Sequence, residues 1–307
     1  MAWHYAIYIE QLAKEARTIL SLPLYVNAAL NSRGRKPGEY PSAGPLAHLK
    51  DIWKCAAPHI DFLAPDLYDK GFKDWVKQYA LPDNRLFIPE IRLEDNDGIR
   101  AFYVFGEHDA IGFSPFSIED GSDSPDYPLT QSYRVLKQLA PFIHKYRNSG
   151  RMKGLLFDET HKDTTILWNE STIKAAHYFT LPWDPRATNG QTWPEGGGLM
   201  IQLEKNEYLV AGSGIVLTFY NKQEPADMQK RGEDGFMISG EKHRVTNNPW
   251  QDIARCGLLS VDEVPVDSLG NMQRVRRLNG DQDHQGRHVR ISVGEYKILH
   301  VKLYQYK

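Results

Sequence analysis

The sequence predicts an α/β fold followed by an all-β fold, namely the second half of a (β/α)8 TIM barrel and then an antiparallel β-sandwich. Three observations predict this fold class. Strand-like and helix-like segments alternate through residues 1–150, and polar residues follow the ends of several of those strands. Residues 151–307 contain short runs of alternating hydrophobicity separated by Gly, Pro, Asn and Asp, which is typical of a sandwich. We therefore predict two domains, residues 1–150 and 151–307.

The first domain begins with an amphipathic helix. Trp3, Ala6, Ile7, Leu12 and Ala13 follow helical spacing, and neither a cap residue nor a signal-peptide pattern precedes them. We interpret this opening as the sign of a fragment whose upstream part is absent. Localisation stays open for the same reason, because any signal peptide would lie in that part, although a periplasmic or extracellular location would fit a full-length form.

Four strand–helix units follow the first helix. We predict strands at 22–30, 60–68, 86–91 and 110–116, and helices at 46–57, 71–80, 97–108 and 130–150. Strands that alternate with helices of about 10 to 15 residues indicate parallel pairing in one sheet.

The turns between these units distinguish two architectures. A nucleotide-binding open sheet would need a Gly-rich turn between a strand and its helix, and none of the four turns has one. A barrel instead places polar groups at the carboxyl ends of several strands. Such groups are Asn27, Asp66, Tyr68, Glu90, Arg92 and Ser114. Because a complete barrel needs eight units, the four units here predict half of one.

Composition excludes several function classes. The formal net charge is −2, which gives no electrostatic indication of nucleic-acid binding. No apolar stretch approaches the roughly 20 residues that a membrane helix needs. The only two cysteines, Cys55 and Cys256, exclude a disulfide scaffold and a Cys-based zinc site. We expect neither a nucleic-acid partner nor a membrane partner.

The second domain contains one polar loop that deserves separate mention. Strand-like runs at 197–220, 234–245 and 295–306 flank a Gly-rich loop at Asn279–His288 that contains two Asp and two His residues. Metal binding is conceivable, but the spacing matches neither an EF-hand nor a zinc motif. The alternative is a polar hairpin loop, and we predict no metal site.

Five segments, in this order, carry a resemblance to a known family. They are LPLYVNAAL (22–30), GEYPSAGPLAHLKDIWKCAAPHIDFLAPDLY (38–68), RLFIPE (85–90), FGEHDAIGFSPFSIE (105–119) and RRLNGDQDHQGRHVRI (276–291). Together they resemble bacterial glycoside hydrolase family 35 β-galactosidases, which are retaining glycosidases built on (β/α)8 barrels. The resemblance covers nearly the whole chain and implies that the four strands are the fifth to the eighth of such a barrel.

The resemblance also implies a catalytic residue. Glu90 occupies the position of the nucleophile at the end of the seventh strand, and Tyr68 the position of a Tyr that hydrogen-bonds the nucleophile. The acid/base Glu of such enzymes follows the fourth strand, which this chain lacks. The Asn-Glu pair that ends at Glu170 is a tempting substitute, but it lies in the wrong order, and a turn is the better interpretation. The alternative is a structural role for Glu90, either in a salt bridge to Arg92 or as a helix cap.

Three further residues are candidates for substrate binding. Asn27 could hydrogen-bond a sugar hydroxyl or satisfy a loop backbone. Asp66 could bind substrate or cap the following loop. Phe116 could offer an aromatic face to a galactose ring, although most such rings belong to a core.

The expected function is retaining hydrolysis of terminal β-galactosides in carbohydrate metabolism, without a cofactor, by a chain that lacks the acid/base residue. The substrate would be a β-galactoside oligosaccharide or polysaccharide. The alternative is a non-catalytic carbohydrate-binding or structural remnant of such an enzyme. Since a half barrel leaves unpaired strands, we also expect inactivity in isolation and self-association through open sheet edges.

Overall fold

The structure is a computed structural model that describes residues 1–31, 34–121, 124–168, 171–181, 192–222, 254–284 and 286–306. The chain divides into two compact units. The first comprises residues 1–97 and 108–124, and the second comprises residues 98–107 and 125–307. Residues 125–150, which the sequence pattern assigns to the first domain, are therefore grouped with the second unit.

The first unit is built on a parallel sheet of four strands. They are β1 (Tyr25–Ala29), β2 (Phe62–Leu67), β3 (Phe87–Ile91) and β4 (Gly112–Pro115), in the order β1-β2-β3-β4. Its helices are α1 (Ala2–Ile19), α2 (Lys50–Ala56) and α3 (Phe72–Tyr79). The strands lie inside the four predicted runs, because each run is a short apolar segment between turn residues.

Helices α1 and α2 cover one face of this sheet. Ala6 of α1 and Trp53 of α2 are buried in one cluster with Leu63 of β2, and Val26 of β1 packs against that cluster. Val26 and Leu63 are register partners on adjacent strands. Because successive strand residues point to opposite faces, Asn27 and its neighbours in register point away from these helices.

The second unit contains two helices and ten strands among its described residues. The helices are α4 (Asp97–Glu107), whose first residue belongs to the first unit, and α5 (Pro128–Tyr146). The strands are β5 (Met152–Phe157), β6 (Asp163–Trp168), β7 (Ser171–His177), β8 (Gly196–Glu204), β9 (Glu207–Ser213), β10 (Ile215–Asn221), β11 (Arg255–Glu263), β12 (Arg276–Leu278), β13 (Val289–Ile291) and β14 (Lys297–Tyr306).

These ten strands form two antiparallel sheets. One has the order β13-β10-β7-β6, and the other has the order β12-β11-β14-β9-β8-β5. Their buried side chains belong to one core cluster that includes Ile173 and Leu217 from the first sheet and Met200, Tyr208 and Leu299 from the second. All five are fully buried, so the two sheets share one hydrophobic core.

The predicted fold class, the second half of a (β/α)8 barrel followed by a β-sandwich, is wrong as stated. The described strands form one open parallel sheet of four strands and two antiparallel sheets, and no half barrel is evident. In a barrel, each crossover helix belongs to the layer outside the strands it connects. Here α4, which connects β3 to β4, is grouped almost entirely with the antiparallel unit, and α5 lies there too. The alternation of strands and helices in the sequence therefore indicated the order of the parallel strands, but not whether their sheet closes into a barrel.

Two further expectations concern the edges of the parallel sheet and the absence of a membrane helix. Strands β1 and β4 lie at the edges of the parallel sheet and have one partner each among the described residues; self-association through these edges stays a prediction. None of the helices in the described part of the chain is long and apolar enough to cross a membrane.

Candidate functional site

The predicted site residues lie at the carboxyl edge of the parallel sheet. Asn27 is on β1, Asp66 on β2 and Glu90 on β3. Tyr68 follows β2, and Phe116 follows β4 directly. The carboxyl ends of parallel strands meet at one edge, so residues distant in sequence come together there.

A β-bulge in β3 interrupts the register just before this edge. Ile88 pairs with Phe113, but the next pairing is between Ile91 and Pro115. Three residue steps along β3 therefore match two steps along β4, and β3 contains one extra residue. Pro89 lies within this stretch. Because proline has no N–H to donate to a ladder, it is tolerated at a bulge.

The bulge places Glu90 on the same face of the sheet as the other site residues. Before the bulge, the ring of Phe87 contacts the rings of Tyr25 and Phe62, with centroids 4.9 and 5.8 Å away. After it, Glu90 contacts Tyr68, which lies on the face of Phe62. In a regular strand, residues three apart point to opposite faces. Because the bulge adds one residue between Phe87 and Glu90, these two side chains point to the same face, and the aromatic rings and the carboxylate lie together.

The hydroxyl of Tyr68 donates a hydrogen bond of 2.5 Å to Oε1 of Glu90. Desolvation, this bond and the negative charges of Glu90 and Asp66 raise the pKa of Tyr68 to about 12. The phenol therefore stays protonated at neutral pH and acts as a donor.

Arg92 does not form the salt bridge to Glu90 that was the alternative interpretation. Its guanidinium carbon lies 5.9 Å from the centroid of the Tyr68 ring, a cation–π contact. No ion pair joins Arg92 to Glu90 among the described residues. The sequence analysis named Arg92 as a polar strand end and as a possible ion-pair partner of Glu90, and the structure places it against the Tyr68 ring instead.

Asp66 and Asn27 form a second polar pair on the same face. Nδ2 of Asn27 donates a hydrogen bond of 2.8 Å to Oδ1 of Asp66. Asp66 is the register partner of Glu90 on the adjacent strand. Burial and the charge of Glu90 raise the pKa of Asp66, while the bond from Asn27 opposes that rise. Neither carboxylate caps a helix in these contacts.

Phe116 extends the site with an exposed ring. Its side chain is 57% exposed, and its backbone N–H donates to the carbonyl oxygen of Ile91 at 2.8 Å. Tyr68 is also exposed, at 41%. Both rings therefore present apolar surface to solvent at the edge that holds the carboxylates.

Two other candidates from the sequence analysis are Glu170 and the loop Asn279–His288. Glu170 lies outside the described residues. Asn279–His288 connects β12 to β13, which belong to different sheets, so it is a connection between sheets and not a hairpin loop. Within that loop, Oδ1 of Asp283 accepts the backbone N–H of Gly286. Across the described residues, no group of three or more His, Cys, Asp or Glu side chains is placed to hold a metal ion.

If the chain has the β-galactosidase activity that the resemblance implies, replacing Tyr68 by Phe is expected to lower the turnover of a dinitrophenyl β-galactoside by about tenfold to a hundredfold, because hydrogen bonds to charged groups contribute about 1.5 to 3 kcal/mol. Only one oxygen atom is removed from a side chain that is 41% exposed, so the free energy of unfolding should change little. Steady-state kinetics and urea unfolding measure the two quantities. Tyr5→Phe, which alters an exposed tyrosine of α1, is the matched control. Unchanged turnover in Tyr68→Phe would contradict a role for this hydroxyl.

Comparison with protein families adds one finding. The family described as a domain of unknown function, DUF5597, matches residues 129–290, more than half of the chain. The chain belongs to the DUF5597 family. The DUF5597 segment lies within the second unit, whereas the site residues between Asn27 and Phe116 lie outside it. No curated protein matches the sequence.

Proposed function

We propose that the protein is a retaining glycoside hydrolase that acts on terminal β-galactosides, with Glu90 as the nucleophile. The observation that carries the proposal is the hydrogen bond from Tyr68 to Glu90 at the carboxyl edge of the parallel sheet. A nucleophilic carboxylate must be ionised and held in one orientation. The phenol of Tyr68 donates to one oxygen of Glu90 and so holds that carboxyl group in one orientation, on an edge with exposed aromatic rings.

The chemistry assigned to Glu90 uses the oxygen that Tyr68 leaves open. Tyr68 binds Oε1, so Oε2 attacks the anomeric carbon of the galactoside and forms a glycosyl ester. The bond to the departing oxygen breaks as that ester forms. Water then hydrolyses the ester from the opposite side, and the two displacements together retain the β configuration.

The substrate class follows from the sequence resemblance and is compatible with the site. A β-galactoside oligosaccharide or polysaccharide offers hydroxyl groups and one apolar ring face. Asn27 and Asp66 are hydrogen-bonding groups on the face of the sheet that holds Glu90, and the rings of Tyr68 and Phe116 are exposed at the same edge. Such sites combine apolar surface with a few placed polar groups.

Covalent trapping tests the proposal. A 2-deoxy-2-fluoro-β-galactoside with a dinitrophenyl leaving group should add one fluorogalactosyl group to the 307-residue chain. Peptide mass spectrometry should locate that group on Glu90, and Glu90→Gln should take up none. Labelling of a different residue would overturn the assignment of Glu90. Binding of a galacto-oligosaccharide with no label and no turnover would instead support the alternative, a non-catalytic carbohydrate-binding protein.

A further inference from the structure

We infer that Tyr304 and Tyr306 form a second carbohydrate-binding site, which holds a β-galactoside chain on the outer face of the six-stranded antiparallel sheet. The class of sugar rests on the proposed function, whereas the surface itself follows from the geometry of β11 and β14. From the sequence, the run at 295–306 was predicted only as a strand.

The two tyrosines lie on the face of β14 that points away from the shared core. Leu299, Val301 and Leu303 belong to that core, and successive side chains of a strand point to opposite faces. Tyr304 and Tyr306 therefore point outward, two residues apart on the same strand. They are 44% and 42% exposed, so solvent reaches both rings.

A glycine on the neighbouring strand makes room for the Tyr304 ring. Gly257 of β11 is the register partner of Tyr304, and a Cβ atom added at position 257 would lie 2.7 Å from Cε1 of that ring. The ring therefore occupies the space that a side chain at 257 would need, and it packs against the backbone of β11. A ring that is already held in place loses little conformational freedom when a ligand binds.

The size of the ring pair indicates what kind of ligand it fits. The centroids of Tyr304 and Tyr306 are 5.5 Å apart, and their planes differ by 32°, so the rings form one gently tilted surface. Aromatic side chains offer about 150 to 250 Å² each, so the half-exposed pair presents roughly 200 Å² to solvent. A stable protein interface needs about 800 Å² on each side. The pair is too small for such a partner and large enough for the faces of two sugar rings.

The chemistry of a galactose ring matches this surface and its polar neighbours. One face of the sugar consists of C–H bonds, which pack against the negative face of an aromatic ring, and hydroxyl groups surround that face. His300 and Lys302 precede Tyr304 on the same face of β14, and both contact Oε1 of Glu207, at 2.5 and 3.4 Å. These side chains place hydrogen-bonding groups at one end of the ring pair. Apolar surface beside a few polar groups is typical of sites for small ligands.

Binding of β-1,4-galactotetraose to the full chain tests the inference. Isothermal titration calorimetry in a Glu90→Gln background measures the dissociation constant without turnover. Tyr304→Ala and Tyr306→Ala should each raise that constant at least about fivefold, because each removes one ring from the surface. Tyr304→Phe and Tyr306→Phe keep the rings and should stay within about twofold of the parent. Neither tyrosine should affect the turnover of 2,4-dinitrophenyl β-galactoside, which carries a single sugar.

Two controls separate binding from folding. Tyr8→Ala alters another exposed tyrosine, on α1, and should bind the tetraose as the parent does. Gly257→Ala should weaken binding although it keeps both rings, because the new Cβ would displace the ring of Tyr304. Urea unfolding checks that each variant is folded. If Tyr304→Ala does not fold, Tyr306→Ala, which alters a residue near the end of β14, gives the same comparison.

Three outcomes would overturn the inference. They are no binding of the tetraose, binding that neither alanine variant weakens, and tighter tyrosine-dependent binding of β-1,4-glucotetraose, which would refute the galactoside class. Covalent labelling of Glu90 tests the proposed function separately. Labelling without tyrosine-dependent binding would remove only the second site, whereas tyrosine-dependent binding without labelling would remove only the nucleophile, so the two failures are distinguishable.

Discussion

Replacing Glu90 by Gln is expected to lower kcat/KM for 2,4-dinitrophenyl β-galactoside, whose leaving group needs no general acid, at least about a thousandfold, a loss of about 4 kcal/mol of transition-state stabilisation. The amide of Gln has nearly the volume of the carboxylate, so the side chain still fills its half-buried position in β3. It carries no negative charge and does not form the glycosyl ester. The loss should therefore appear in the chemical step.

Three measurements distinguish a loss of catalysis in Glu90→Gln from a loss of stability. Steady-state kinetics give kcat/KM, urea unfolding gives the stability, and proton NMR of the product gives the anomeric configuration. Glu15→Gln, the same substitution at an exposed position of α1, is the matched control and should keep full activity. Activity of Glu90→Gln within tenfold of the parent would refute the nucleophile assignment.

The largest expected loss of stability comes from the core of the antiparallel unit. Tyr208 is fully buried, and its ring lies 5.8 Å from that of Trp168 and 5.3 Å from that of Phe219. Truncating a buried aromatic side chain to Ala costs about 3 to 5 kcal/mol, because the surrounding side chains collapse only partly into the cavity. We expect Tyr208→Ala to lose that amount of unfolding free energy.

Urea unfolding followed by tryptophan fluorescence measures this loss, and Tyr208→Phe is the matched control. The hydroxyl of Tyr208 lies 3.4 Å from Oγ of Ser171, at the long end of hydrogen-bond distances. Its removal should cost about 1 kcal/mol, far less than removal of the ring. If Tyr208→Ala and Tyr208→Phe were equally stable, the ring would not hold the two sheets together.

The positions of the four parallel strands could be predicted from the local sequence pattern. The way in which those strands assemble into an open sheet could not be predicted from it. The run at 86–91 is apolar and bounded by turn residues, and it became β3 (Phe87–Ile91). Barrel closure depends on strand tilt and on pairing between distant segments, which the polar strand ends do not encode. Those polar residues indicate a shared sheet edge, and an open sheet has one as well.

Some contacts of the candidate site could likewise be predicted from the sequence, and others could not. Tyr68 and Glu90 were expected to meet because the resemblance implies a Tyr that hydrogen-bonds the nucleophile, and the structure joins them by a hydrogen bond. The contact between Asn27 and Asp66 depends on register, which no pattern within one strand reveals. The bulge was also missed, although Pro89 inside an apolar run was a signal for it.

The extra residue in β3 has a consequence for how this gene tolerates change. Most single-base substitutions at codon 89 would leave the chain length, and hence the count of residues along β3, as it is. Loss of that one codon would remove the offset between β3 and β4 and place Glu90 two residues after Phe87, which in a regular strand is the same face. An in-frame deletion of three bases would therefore remove the bulge and still leave the carboxylate on its face of the sheet.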